Sequence, residues 1–227
     1  MGLSLFTLAC DAVAVIVGIV VHESSHALAA FLLGDRTARS RGRISLNPLA
    51  HVDLFGTILL PLLMVAIGAP AFAFAKPVPI YLGNLKHPKR DEVLISLAGP
   101  ASNLLLAGLA ALTLRIVTEF FGTAMVSNGA IYTAISAAGI FMQVNLSLCF
   151  FNLIPLPPLD GSSVLVTFLK GRALDTYYRV QQYSMPILIL VLYLIPRITG
   201  IDVVGMYFDV TVYPLAMILM RFALSIL

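Results

Sequence analysis

The chain is organised by apolar runs of a length that only a membrane requires. The first covers Leu3 to Leu33, interrupted by Asp11 and by a His-Glu-His group near its end. Others follow at Leu54 to Ala75, Val93 to Val117 and Ala130 to Leu169, with shorter ones at Met185 to Pro196 and Val203 to Leu227. About 20 apolar residues suffice for one helical crossing of a bilayer. Composition agrees: of 227 residues, 59% are hydrophobic and 11% charged, against roughly 25% charged in a soluble domain. Too few charges are present to clothe the surface in water, so most of it must meet lipid. The expected fold is all-α and integral to the membrane, a polytopic bundle of about five to six transmembrane helices.

The charge lies in the connections. Arg36, Arg39, Arg41 and Arg43 follow the first run, and Lys76, Lys86, Lys89 and Arg90 follow the second. Basic flanks beside apolar spans reflect topology and lipid headgroups. With no soluble region to carry it, nucleic-acid binding is set aside as a function class. Two basic connections after successive crossings would lie on opposite faces, a conflict that disappears if one run re-enters. Arg41 to Pro48 reads as a turn or a short extended strand, the place after the first span where a strand or hairpin is expected. Cys10 and Cys149 both fall within apolar runs and form neither a disulfide framework nor a CxxC metal pattern. Met1 to Ala30 lacks the basic start of a cleaved signal peptide and is too long for one.

Ala130 to Leu169 is too long for one straight span, and near its middle stands Asn152-Leu153-Ile154-Pro155-Leu156-Pro157-Pro158-Leu159-Asp160-Gly161. Each proline removes a backbone donor and clashes with the preceding turn, so the segment reads as two half-helices broken at depth near 152–161. Irregular backbone at that depth is tolerated only inside protein or against a water-filled cavity. The expected organisation is a catalytic membrane core over residues 1–170, with spans at about 3–33, 54–75, 93–117 and the broken 130–169, then C-terminal accessory spans over 171–227.

The chemistry begins with His22-Glu23-Ser24-Ser25-His26. On a helix, two histidines four residues apart are separated by about 40° and one turn, and their imidazoles can take adjacent vertices of a tetrahedral Zn²⁺. Glu23 beside them can act as general base on a water. Three ionisable residues within five positions of a span are costly unless a metal offsets the cost. A catalytic zinc needs a third protein ligand and an open position. The candidates are His51, His87, Cys149, Asp11, Asp53 and Asp160. His87 lies in a basic connection, Cys149 reads as a small core residue, and Asp11 is about three turns from His22. Asp160, inside the proline break, would be very costly if unpaired, and zinc resolves that cost. His51 and Asp53 suit a substrate rim or a supporting shell around the metal, though helix capping accounts for Asp53 equally well. Asn152 suits an oxyanion donor. For Asn103 a supporting role and simple backbone satisfaction are level.

Together these stretches resemble the site-2 protease family of intramembrane zinc metalloproteases. The resemblance rests on the His22–His26 motif, on Asn47-Pro48-Leu49-Ala50-His51-Val52-Asp53 with Phe55-Gly56-Thr57, on Gly99-Pro100-Ala101-Ser102-Asn103, and above all on Asn152 to Gly161. It implies that His22, His26 and Asp160 hold one Zn²⁺ per chain, that Glu23 activates water and that Asn152 positions substrate or oxyanion. It further implies a multi-pass protein of a prokaryotic cell membrane, whose partners are the lipid bilayer and a substrate helix of another membrane protein. The chain looks like a short form without a PDZ or CBS domain. Two other readings compete: a transporter or channel with an ion site in a broken helix, and a zinc-binding membrane scaffold without activity. The missing inverted repeat counts against the first, the intact Glu23 against the second.

Overall fold

A computed structural model describes residues 5–66, 74–121 and 129–224. No β-strand forms among them. The long helices are α1 (Leu5–Leu32), then, after the short α2 (Thr37–Ser40) and α3 (Leu60–Ala66), α4 (Pro88–Phe121) and α5 (Gly129–Asn152). Beyond the proline break come α6 (Ser162–Phe168), α7 (Arg172–Gln181) and α8 (Ser184–Ile189), which continues through a π-helical turn into α9 (Ile195–Thr199). The described chain ends with α10 (Val203–Val210) and α11 (Val212–Leu224). Among the described residues four helical segments are long and apolar enough to cross, namely α1, α4, α5 and the α10–α11 pair; α7 with α8–α9, bent by 76°, would make a fifth. Only 22% of the apolar window of α1, of α4 and of α5 is buried within the protein, and 6% of that of α10–α11, so lipid must cover the remainder.

Of the run at 54–75, expected to span, the described helical part is shorter than a crossing. A π-helix over Leu54–Leu59 leads into α3; these 13 residues extend about 20 Å, short of the ~30 Å hydrocarbon core. The Phe74 amide then donates to Gly56 O at 3.1 Å, and Thr57 Oγ1 donates to Phe74 O at 2.9 Å. The excursion therefore returns to its point of departure. Residues 67–73 of that run, with Leu3, Ser4 and residues 225–227 of the expected first and last spans, lie outside the described residues. Of the two readings of Arg41 to Pro48, the turn is the one observed: residues 41–42 turn, irregular chain follows, and Pro48 opens a 3₁₀ turn.

Because the excursion returns, both basic connections share one face. Asp35, fully buried, ties them together. It accepts from the Thr37 amide at 3.0 Å, Thr37 Oγ1 at 2.5 Å, Asn84 Nδ2 at 2.8 Å and the Tyr81 amide at 2.7 Å. Burial opposes its charge, but these donors outweigh it and hold the carboxyl at about 2. Ala30, Leu85 and Ile95 pack together at the same end, and Lys89 Nζ donates to Leu169 O at 3.0 Å, bringing in the connection after α6. Eleven of the fourteen lysines and arginines thus gather there: the eight already named at 36–43 and 76–90, with Lys170, Arg172 and Arg179. At the opposite face Thr118 Oγ1 donates to Ala223 O at 2.6 Å. So α1 runs toward the basic face, α4 away from it, α5 with α6 back, and α10–α11 away again. Small residues let the helices approach closely: Ala107, Ala110 and Ala111 of α4 meet Met142 and Leu146 of α5 and Val212 and Ala216 of α11.

Candidate metal centre

His22 and His26 project from the last third of α1, buried, with ring centroids 4.6 Å apart. Asp160 reaches them from the break after α5. That break is a closed excursion: Gly161 N donates back to Asn152 O at 2.6 Å, while Leu159 N, Ser162 N and Ser163 N make turn bonds to Leu156 O, Leu159 O and Asp160 O. The Pro157–Pro158 bond within it is cis. Closure requires a glycine, since a Cβ at Gly161 would lie 2.2 Å from Leu153 O.

The Asp160 carboxylate oxygen Oδ2 stands 3.0 Å from His22 Nε2 and 3.4 Å from His26 Nε2. One ligand atom from each of the three residues falls within a group no wider than 4.8 Å. Tetrahedral zinc with ligands at 2.0–2.1 Å sets neighbouring ligand atoms about 3.3 Å apart, so the spacing fits. Asp160 Oδ2 is buried and accepts no hydrogen bond, as a metal ligand should. Gly99 of α4 keeps the space open: a Cβ there would stand 2.5 Å from both Nε2 atoms.

What turns the two Nε2 atoms inward is the occupation of both Nδ1 atoms. His26 Nδ1 lies 2.7 Å from Ile95 O, an acceptor only, and must carry the proton. His22 Nδ1 lies 2.6 Å from Asn103 Oδ1, and that amide is oriented in turn. Asn145 Nδ2 donates to Phe141 O at 2.9 Å, which fixes Asn145 Oδ1 as an acceptor. Asn103 Nδ2 donates to that oxygen at 3.0 Å and to Gly18 O at 3.1 Å. Only Asn103 Oδ1 is then left for His22, so Nδ1 is protonated and the Nε2 lone pair is free. Backbone carbonyls of α1 and α5 thereby set the tautomer of a ring on α1 through two fully buried amides.

Of the other residues singled out in the sequence, Asn103 thus touches the candidate ligand His22. Asn152 lines the same cavity, its Nδ2 donating to Leu148 O at 3.0 Å. His51 is buried but does not line it: Nε2 lies 2.8 Å from Ser45 O and 3.3 Å from Ser24 Oγ, between the two histidines in sequence. Asp53 is a cap, its Oδ1 accepting from Gly56 N at 2.7 Å while its own amide donates to Thr57 Oγ1 at 3.0 Å. Sequence reading passed over Asn145, Asp35 and Arg43. Arg43 is buried and donates to Ala50 O and Lys76 O, pinning the loop before α3 to the chain at Lys76. A lone asparagine in an apolar run was the available signal for Asn145; Asp35 and Arg43 were hidden among ordinary connection residues.

The three candidate ligands and Glu23 open into one cavity of about 650 Å³. One wall is apolar, with Phe74, Val78, Leu148, Phe151, Met185 and Leu188; toward the basic face it turns polar, with Glu92, Ser96, Ser162, Ser163, Tyr178 and Gln181. A hydrolytic site needs such a mixture: apolar wall for a membrane segment, polar wall for water.

Comparison with known proteins agrees. The model of peptidase family M50 matches residues 116–195. The chain is 37% identical over 185 residues to YwhC of Bacillus subtilis (strain 168), whose name describes a zinc metalloprotease in provisional terms; the match covers 81% of this chain and 80% of that one. Rip2 of Mycolicibacterium smegmatis, named in the same terms, is 30% identical over 78% of this chain and 64% of its own length. Rip2 of Mycobacterium tuberculosis (strain H37Rv) is 28% identical over 82% and 66%. Against these two the chain spans about two thirds of the relative's length. No solved structure matches. With bacterial relatives and four apolar crossings this is a multi-pass bacterial membrane protein, and the chain belongs to peptidase family M50, the site-2 protease family of membrane zinc metalloproteases.

Proposed function

We propose that this chain is an intramembrane endopeptidase that hydrolyses peptide bonds within transmembrane helices of other membrane proteins. The observation that carries the reading is the convergence of His22, His26 and Asp160, with Glu23 beside them, in a half-apolar cavity among membrane helices. His22, His26 and Asp160 would hold the zinc, which when bound would supply Lewis acidity toward a water and the scissile carbonyl. Glu23 accepts a proton from the attacking water and delivers it to the departing amide nitrogen. Asn152 commits one Nδ2 hydrogen to Leu148 O and has a second to donate to the oxygen that becomes negative. Asn103 and Asn145 hold His22 in one tautomer, the Ile95 carbonyl does so for His26, and His51 with Ser24 and Ser45 seats the connecting loop on α1. Residues 1–170 carry this chemistry, and the segments after them wall the cavity through Tyr178, Met185 and Leu188.

Purified protein should hold one zinc per chain and cleave a membrane-helix substrate. Glu23→Gln should keep the metal and lower kcat by about 10²–10⁴-fold, the usual worth of a general base. Full activity in that variant would sink the mechanism. Zinc without cleavage of any helix by the wild type would leave only the scaffold reading, and ion flux in its place the transporter.

A further inference from the structure

Among the carboxylates lining the cavity, Asp160 and Glu23 are absorbed by the chemistry above, and Glu92 is not. Glu92 sits at the start of α4, its carboxylate contacted by Tyr178 Oη at 3.5 Å. No ion pair to it occurs among the described residues, and no lysine or arginine lines the cavity. This is notable because the surrounding face holds eleven of the chain's fourteen basic residues, Lys89 and Arg90 among them. Those two are turned elsewhere, Lys89 Nζ to Leu169 O and Arg90 Nε toward Asp91 at 3.8 Å.

The placement of Glu92 is periodic. Glu92, Ser96, Gly99 and Asn103 recur at four, three and four residues, which puts them on one stripe of α4. The stripe runs from the amide that holds His22, past the glycine under the two Nε2 atoms, past Ser96 Oγ (2.7 Å from Ser163 Oγ), to Glu92. Seven residues of helix separate Gly99 from Glu92, about 10 Å of axial rise. An extended peptide covers that in about three residues at roughly 3.3 Å each.

We propose that Glu92 is a specificity-determining subsite that receives a lysine or arginine side chain of the substrate, about three residues from the scissile bond on the side of the basic face. The proposal rests on the reading of this site as a protease of membrane helices. A substrate helix in the same membrane obeys the same bias of its lysines and arginines toward one face. Its flanking lysine or arginine therefore enters a cavity that has a carboxylate for it and no competing cation. The apolar wall takes the preceding membrane segment, and the ammonium or guanidinium marks where that segment ends.

The test compares pairs of apolar dodecapeptides differing only by Lys or Gln at one position, measured by fluorescence anisotropy against the zinc-loaded full chain in detergent micelles. The wild type should prefer the Lys peptide by about fivefold, as for a partly exposed ion pair, at one position of the scan. In Glu92→Gln the Lys/Gln ratio should fall to about one, and Glu92→Lys should reverse the preference in favour of a Glu peptide. No Lys preference in the wild type, or one that survives both substitutions, overturns the proposal. Because binding is read without cleavage, its failure is distinguishable from failure of the protease reading. With a cleaved substrate, the same substitutions should change KM for the Lys substrate more than kcat.

Discussion

Two carboxylates, the fully buried Asp35 and the half-buried Asp160 with one oxygen covered, are held in opposite ways, and the difference separates a structural charge from a candidate chemical one. Asp35 lies in the connection after α1 and takes four donors, from Thr37, Tyr81 and Asn84. Nothing about it is left over. Asp160 lies in the break after α5, and its inward oxygen has no donor at all, only two ring nitrogens whose protons point the other way. A buried anion without donors costs several kcal/mol unless a cation joins it. Satisfaction by its own backbone marks the staple; its absence, beside two free lone pairs, marks the site.

Removing each side should therefore produce different losses. The largest effect is expected from Gly99→Ala, whose methyl would stand 2.5 Å from both Nε2 atoms. Stoichiometric zinc should be lost by metal analysis while the helical circular dichroism stays that of the wild type; a variant still holding one zinc would show that the rings have room to retreat. Next comes Asp35→Ala, which orphans the Tyr81 amide and the Asn84 side chain. It should cost about 2–4 kcal/mol in thermal or denaturant unfolding, with zinc affinity of the folded fraction unchanged. If affinity fell instead, the two carboxylates would not be separable.

A smaller and more selective effect is expected at Asn145. Asn145→Leu removes the oxygen that orients Asn103 without touching a ligand, and zinc affinity measured by chelator competition should weaken about 10–100-fold, as for other outer partners of metal ligands. An unchanged affinity would mean that Gly18 O alone orients Asn103. The smallest effect is in pH. The folded Asp35 carboxyl is held at about 2 against an ordinary 3.8, so below about pH 4 the unfolded chain takes up a proton that the folded one refuses. The stability contributed by Asp35 is complete above that pH and disappears as the pH falls toward 2. The melting temperatures of wild type and Asp35→Ala should therefore converge across that window, and a gap that held constant would deny the carboxylate its role.

Much of the site was legible in the sequence because its chemistry is unusual for its surroundings. His22, Glu23 and His26 in an apolar run, and Asp160 behind three prolines, are each too costly to be idle in a membrane. Asn145 was not legible: one amide in a span has no visible partner until another helix is placed against it. The described residues carry four to five candidate crossings against the expected five to six. Leu54 to Ala75 has the composition of a span, but composition carries no direction, and only the pairing of Phe74 with Gly56 reveals a return. Asp53 was open between two readings, and the bonds to Gly56 N and from its own amide to Thr57 Oγ1 give it to capping.

That return settles a matter of parity. An excursion that ends where it began adds no crossing, so α4 runs antiparallel to α1. The helix that bears His22 and His26 and the helix that bears Gly99 and Asn103 therefore meet at one depth with their motifs in register. Had the excursion crossed, α4 would set out from the far face with its sense reversed. Gly99 and Asn103 would then meet α1 in the opposite order, and Asn103 could not reach His22 and Gly18 while Gly99 lies under both Nε2 atoms. The placement of the candidate site across the membrane thus depends on a segment that holds none of its candidate ligands.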